Sequence, residues 1–241
     1  MVKRLVRKLL GFAGYELFNT RQYYSHDGLF TSHNDHFRHG SAFKAAYARG
    51  VAAGCGVDPH IEWRVHVALW AAAAAVRLPG DFVECGVNAG FTSSAIMQDL
   101  NWRTVDKRFY LIDTFTGPVL AQYSQEEIDQ GIVTLIKDAI SAGAYVTDLD
   151  RVRANYSEWP GAELVKGVVP DVLETLHIGS IAFLHIDMNC SYAERAALEF
   201  FWNRLSPGAF VLLDDYAYFG YDCHVLGTSR HTLFETTDQL T

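Results

Sequence analysis

Asp81-Phe-Val-Glu-Cys-Gly-Val-Asn-Ala-Gly90 opens as a short apolar run and closes in a glycine-containing turn. Asp81–Cys85 reads as a buried strand, and the turn leads into a helix over Phe91–Leu100. Gly86 and Gly90 allow the backbone there to turn tightly and to approach a ligand closely. Working outward, the same alternation recurs. Phe109–Ile112 is an apolar run ending on Asp113, Ala162–Val165 is a strand followed by a short helix near Pro170–Leu176, and Ile181–Ile186 is wholly apolar and ends on Asp187. Tyr192–Leu205 has helical periodicity, Ser206-Pro-Gly reads as a turn, and Ala209–Leu213 is a last buried strand ending on Asp214 and Asp215. Short strands that are apolar on both faces, alternating with helices, predict an α/β fold: an open, mainly parallel sheet with helices on both faces. Ligands bind such sheets beyond the carboxyl ends of the strands. Glu84, Asp113, Asp187, Asp214 and Asp215 all fall at that rim.

Upstream, Ser41–Ala53 and Pro59–Arg77 read as helices, the second closed by Leu-Pro-Gly at 78–80. Residues 20–40 show little periodicity and read as a loop or irregular arm. The chain thus divides into residues 1–60, an N-terminal helical or irregular arm or lid, and residues 61–241, the ligand-binding domain. Between Asp113 and Ala162 lies a mostly polar insertion with helical pieces around Gln125–Ser141 and Leu149–Asn155.

The net charge of −8 and the lack of a long basic run argue against nucleic acid as a partner. No apolar run reaches transmembrane length, and the basic, amphipathic first twelve residues lack the features of a signal peptide. Cys55, Cys85, Cys190 and Cys223 are widely separated, which fits reduced thiols in a cytoplasmic enzyme better than zinc ligands or disulfides.

Three clusters carry the chemistry. In Glu84-Cys-Gly-Val-Asn-Ala-Gly90 the glycines are spaced GxxxG, so the dinucleotide fingerprint GxGxxG is absent. Such a loop suits a ligand without phosphates. The methionine end of S-adenosylmethionine (SAM) is one, with Glu84 serving its ammonium or fixing the loop; a purely structural turn is the equal alternative. Asp113, in Leu-Ile-Asp113-Thr-Phe-Thr-Gly117, stands where a ribose needs a carboxylate, or caps the following turn. Asp187 in His185-Ile-Asp187-Met-Asn189 and the pair Asp214-Asp215 come from adjacent strands. Clustered carboxylates call for a cation, and hard oxygen donors suit Mg²⁺, which acidifies a bound hydroxyl; one Asp capping a helix with the others solvated is the alternative. His185, inside a buried strand, reads as a core histidine. A nicotinamide dehydrogenase is disfavoured by the missing GxGxxG and by the lack of a Tyr-x-x-x-Lys pair.

Together with Val165-Lys-Gly-Val-Val-Pro-Asp-Val-Leu173 and Leu205-Ser-Pro-Gly-Ala-Phe-Val-Leu-Leu-Asp-Asp-Tyr216, these stretches resemble the macrocin O-methyltransferase family, the antibiotic-sugar methyltransferases of the TylF and MycF type. The resemblance spans roughly residues 60–220. It implies a Rossmann-like class I methyltransferase fold, SAM and Mg²⁺ as cofactors, and a sugar or glycoside hydroxyl as acceptor; a homo-oligomer stays open. It implies Asp187, Asp214 and Asp215 as metal ligands, with Asp187 and Asp215 catalytic. Glu84, Cys85, Gly86, Gly90, Asp113, Thr114 and Asn189 are implied as the cofactor-binding set. Asn189 stands where relatives often carry an acid.

Two departures stand out. No His lies between Asp113 and His177, so the histidine base of sugar-modifying members has no counterpart. A catechol-like phenol, which needs no strong base, is therefore the alternative acceptor. The tail after Tyr216 is short and polar for the helix and strand pair that usually close this fold. The sheet is expected to lack its last strand or strands, which leaves a truncated, non-catalytic SAM-binding fold as a further alternative.

Overall fold

A computed structural model describes residues 6, 8, 10–15, 23–54 and 56–216. Residues 6, 8 and 10–12 are helical. The tail His224–Thr241, together with Cys55 and Cys223, lies outside the described residues. Cys85 and Cys190 are free thiols.

Residues 24–31 form a hairpin of β1 (Tyr24–His26) and β2 (Leu29–Thr31), where an irregular arm was expected. Its turn is Asp27-Gly28, the dipeptide favoured where both turn residues need positive φ. Helices α1 (Ser41–Ala53) and α2 (Glu62–Ala75) follow; α2 starts three residues later than the run from Pro59 suggested.

The main sheet contains β3 (Asp81–Cys85), β4 (Phe109–Asp113), β5 (Ala162–Lys166), β6 (Ile181–Ile186) and β7 (Leu205–Leu213). The order is β5-β4-β3-β6-β7 and every pairing is parallel. The strand order reverses at β3, so the crevice beside it is the place where a ligand is expected. Between strands run α3 (Phe91–Asp99), then α4 (Gln125–Asp129), α5 (Ile132–Ser141) and α6 (Leu149–Tyr156) in the insertion, and α7 (Ser191–Trp202).

Side-chain alternation sends each strand's residues to two cores. Phe82, Phe109, Leu111 and Phe183 pack on one face with α1, α2 and α3. Val83, Cys85, Ile112, Leu184 and Ile186 pack on the other with α5 and α7. Helix α1 therefore shares the core of the sheet, burying Phe43, Ala46 and Tyr47 against it.

One expected turn is part of a strand. Ser206-Pro-Gly belongs to β7, which runs unbroken from Leu205. The register between β6 and β7 shifts between Ile181 and Phe183, so a bulge takes up the extra residues. Pro207 is tolerated because β7 is the last strand of the sheet among the described residues, and an edge strand needs fewer ladder donors.

The insertion is anchored by Glu127, which is fully buried. Ser124 and Glu127 form a capping box at the start of α4. The other Glu127 oxygen, Oε1, accepts the Ser191 backbone N–H at 2.9 Å, tying α4 to the first residue of α7. Burial favours the neutral acid, but the N–H groups of Ser191 and Ser124 and the Ser124 hydroxyl outweigh it and hold the carboxyl below its ordinary value. A depressed folded value means the stabilisation is fully present above the ordinary glutamate range and is lost as pH falls through the folded value. Glu127→Gln is expected to cost about 1–3 kcal/mol at pH 7. The gap between variant and wild type should shrink below about pH 4. Thermal melts of the pair at pH 7 and pH 4 check this; a pH-independent gap would contradict it.

Candidate active site

The carboxyl ends of β3, β4 and β6 open into a cavity of about 650 Å³. Its walls include the 86–89 loop, Asp113, Tyr145 from the insertion, Asp187, and Ile61 and Arg64 from the N-terminal side.

The loop after β3 is clamped by Asp113. The Asp113 Oδ2 accepts the backbone N–H groups of Val87 and Asn88, each at 2.8 Å. Its Oδ1 accepts the Phe115 N–H at 2.7 Å. Asp113 therefore fixes two loops by its own bonds, and as a cavity-lining carboxylate it keeps further lone-pair capacity. Thr114 donates its hydroxyl to the Gly117 carbonyl at 2.7 Å, so it shapes the turn after β4.

The two glycines make room for protein. Gly86 has φ +90°, and a Cβ there would lie 1.7 Å from the Asp187 carbonyl oxygen. Gly90 has φ +88°, and a Cβ there would lie 2.0 Å from the Tyr156 hydroxyl. Cys85, expected to help bind the cofactor, points its side chain away from the cavity into the core around α7, where burial pushes its thiol pKa up.

Asn88 reaches across to the insertion. Its side-chain amide donates to the Ala144 carbonyl at 2.9 Å and accepts from the Val146 N–H at 2.8 Å. These bonds bracket Tyr145 and hold it at the rim. Burial, then Asp187, Asp215 and Asp113, push the Tyr145 hydroxyl up to about 12, so at neutral pH it is a hydrogen-bond donor and not a base.

The acids form a chain. Glu84 and His185 are partners in the β3–β6 register, so they share a face of the sheet. His185 Nδ1 lies 2.9 Å from Glu84 Oε1, and His185 Nε2 lies 3.7 Å from Asp214 Oδ1. Burial disfavours the imidazolium, but Asp214 and Glu84 outweigh it and raise His185 to about 10. The core histidine expected from the sequence thus sits between two carboxylates. Asp214 Oδ2 carries the Arg64 guanidinium. Burial raises the Asp214 carboxyl, yet His185 and Arg64 together hold it below the usual carboxylate range. Asp187 goes the other way: burial, Asp214 and Asp215 push its carboxyl well above that range. Asp215 Oδ2 accepts the Asn189 N–H at 3.2 Å, which shapes the turn after β6. The Asn189 amide reaches only 3.5 Å from Asp187.

The expected site residues Glu84, Gly86, Asp113, Thr114, Asp187 and Asn189 all line the cavity. Donor atoms of His185, Asp187 and Asp214 fall within 4.8 Å of one another. Two buried polar atoms in this region make no hydrogen bond, Glu84 Oε2 and His185 Nε2. Arg64, Asp27 and Tyr145 were not anticipated. Arg64 left one trace in the sequence: it is the one Lys or Arg in the stretch Glu62–Ala75.

A doubly wound parallel sheet, a pinned loop after its central strand and acids at the ends of the flanking strands are the layout of a class I methyltransferase. The macrocin O-methyltransferase family model matches residues 65–230, and the chain belongs to that family. Over 145 residues it is 28% identical to the 8-demethyl-8-(2,3-dimethoxy-alpha-L-rhamnosyl)-tetracenomycin-C 4'-O-methyltransferase of Streptomyces olivaceus. That match covers 58% of this chain and 54% of the relative, so the chain spans about half the length of the curated relative it matches. Among solved structures, the O-methyltransferase NovP superposes with a TM-score of 0.55 at 16% identity, over 88% of this chain and 82% of NovP. That likeness bears on the fold. Among the described residues, no helix is long and apolar enough to cross a membrane.

Proposed function

We propose that this chain transfers the methyl group of SAM to a hydroxyl of a sugar or glycosylated small molecule. The observation that carries the reading is the juxtaposition, across one cavity, of the Asp113-clamped loop and Asp187 at the end of β6, with Asp214 beside Asp187. Family membership and the name of the Streptomyces olivaceus relative support the acceptor class.

In this reading the buried, unpartnered Glu84 Oε2 takes the ammonium of the methionine moiety. Asp113 holds the 86–90 loop and offers Oδ1 to a ribose hydroxyl, with Thr114 and Asn189 completing the wall. The donor set fits Mg²⁺: burial and the neighbouring Asp214 and Asp215 carboxylates raise Asp187, and a cation among these hard oxygens would relieve it. Asp187, Asp214 and Asp215 would hold the ion. When bound, SAM supplies an electrophilic methyl group and Mg²⁺ an electrostatic pull on the acceptor oxygen. The protein's own work is alignment and proton handling. Asp187 lines the cavity and is the carboxylate placed to take the acceptor's proton, a role otherwise left without a histidine in the insertion. Tyr145 offers a donor to the acceptor or to its leaving proton's new site. Attack on the methyl is a direct displacement, so holding the two reactants in line supplies much of the acceleration.

The test is isothermal titration of SAM, followed by transfer of labelled methyl into a panel of glycosides and catechols. Asp187→Asn is expected to lower methyl transfer by about a hundredfold or more with SAM affinity changed less than about threefold. A folded sample that binds no SAM sinks the proposal.

A further inference from the structure

Arg64 sits where a divalent ion would compete with it. Its Nε and Nη2 form a bidentate fork with Asp27 in the β1–β2 turn, at 3.0 and 2.6 Å. Its remaining nitrogen, Nη1, pairs with Asp214 Oδ2. Asp214's side chain is only 2% exposed, so this contact is well shielded from water. The guanidinium thus spans two carboxylates that come from opposite ends of the described chain, one on the N-terminal hairpin and one in the acid cluster. The fork to Asp27 is complete without Asp214. Releasing Nη1 therefore leaves Arg64 a fully formed partner.

We propose that Arg64 is an internal counter-cation that competes with a divalent metal for Asp214, with Asp27 of the hairpin as the carboxylate that draws Arg64 off when the metal binds. This inference rests on the metal reading given above. Three features of the geometry support it. Asp214 Oδ1 lies 3.7 Å from His185 Nε2, so Oδ2 is the atom on which Arg64 and a metal meet. His185 Nε2, buried and without a hydrogen bond, points to the same cluster as Asp187 and Asp214. A guanidinium and a divalent ion on one carboxylate repel strongly in a water-poor site, so both cannot hold it at full strength. Arg64 is also one of the residues lining the cavity, so its release from Asp214 needs no change in the core.

The proposal gives opposite signs for two substitutions. Arg64→Gln removes the competitor and should tighten metal binding by about tenfold. Asp27→Asn removes the alternative partner, leaves Arg64 leaning on Asp214, and should weaken it by about threefold. The 241-residue chain is titrated with Mn²⁺ in the absence of SAM, and free Mn²⁺ is read from its solution electron paramagnetic resonance signal. Thermal melts confirm that each variant folds. Asp27→Asn, in a surface turn, keeps the test alive if Arg64→Gln fails to fold. Opposite shifts support the inference, as does metal binding gained only by Arg64→Gln. Metal binding by wild type with unchanged affinity in the folded variants, or shifts of the same sign, overturns the inference and leaves the metal reading standing. No metal bound by wild type or by either variant overturns both.

Discussion

Gly86→Ala is expected to destabilise the protein severely and to abolish SAM binding. The alanine Cβ would stand 1.7 Å from the Asp187 carbonyl oxygen and 2.5 Å from its carbonyl carbon, both backbone atoms. Residue 86 also holds φ +90°, a region that L side chains rarely adopt. Neither side can step aside. Gly86 donates its N–H to Ile112 at 2.9 Å, and Asp187 donates to the Cys85 carbonyl at 2.8 Å, so the clash lies between segments stitched to β3 and to its neighbours. Relief requires breaking one of those bonds and moving β3 and β6 apart at the rim of the cavity. The expected loss is about 4 kcal/mol or more, in the range reserved for backbone collisions and strain. For a domain of this size that lowers the melting temperature by on the order of 10 °C. Gly179→Ala is the matched control: its Cβ would meet nothing within 4 Å, and it should melt within about 2 °C of wild type. A Gly86→Ala protein that also melts within that margin would show that the close approach of β3 and β6 is not as described.

The same pair of residues shows what the sequence can and cannot reveal. The strand pattern was legible because it is local: an apolar run ending on an acid recurs at Asp113, Asp187 and Asp214, and each marks the carboxyl end of a parallel strand. Gly86 was legible as a special position, but the reason for it was not. Its neighbour is the backbone after β6, about a hundred positions further along the chain, and no pattern within a window of ten residues encodes that approach. The Arg64 contacts were hidden for the same reason, since they join elements far apart in sequence. The hairpin is different. Asp27-Gly28 between two short β-prone runs is a turn signal present in the sequence, and only the lack of a longer alternating pattern obscured it. Ser206-Pro-Gly misled in the opposite direction. Its residues favour turns, yet a bulge against β6 and an edge position absorb them into β7. For Asp113 the sequence left ribose binding and turn capping as alternatives. The hydrogen bonds establish the loop-fixing role and leave Oδ1 with capacity for a ribose.

Those hydrogen bonds make Asp113→Ala the second substitution with a large expected effect, and one that strikes binding harder than folding. It strips the acceptor from the N–H groups of Val87, Asn88 and Phe115 at once. Water can reach part of this rim, so the cost falls short of three fully buried orphans; about 2–3 kcal/mol is expected. The β3–β4 register lies below the rim and keeps its own ladder, so the sheet should survive. The 86–90 loop should not keep its shape. Asn88 loses its backbone anchor, and with it the grip on Ala144 and Val146 that sets Tyr145 in place. SAM then loses both a shaped loop and a carboxylate, and its affinity is expected to fall by about a hundredfold, equivalent to roughly 2.8 kcal/mol. Asp113→Asn separates the two contributions. Its carbonyl oxygen can still take the Val87 and Asn88 N–H groups, so the loop and most of the stability should be retained. Its amide NH₂, however, turns a donor toward the Phe115 N–H where Oδ1 accepted it. A clamp-only role predicts near-normal SAM binding for Asp113→Asn and a large loss for Asp113→Ala, whereas a clamp that also holds the ribose predicts a substantial loss in both. Titration of SAM into each, beside thermal melts, decides between them, and an Asp113→Ala protein that binds SAM within about threefold of wild type would remove Asp113 from the site altogether.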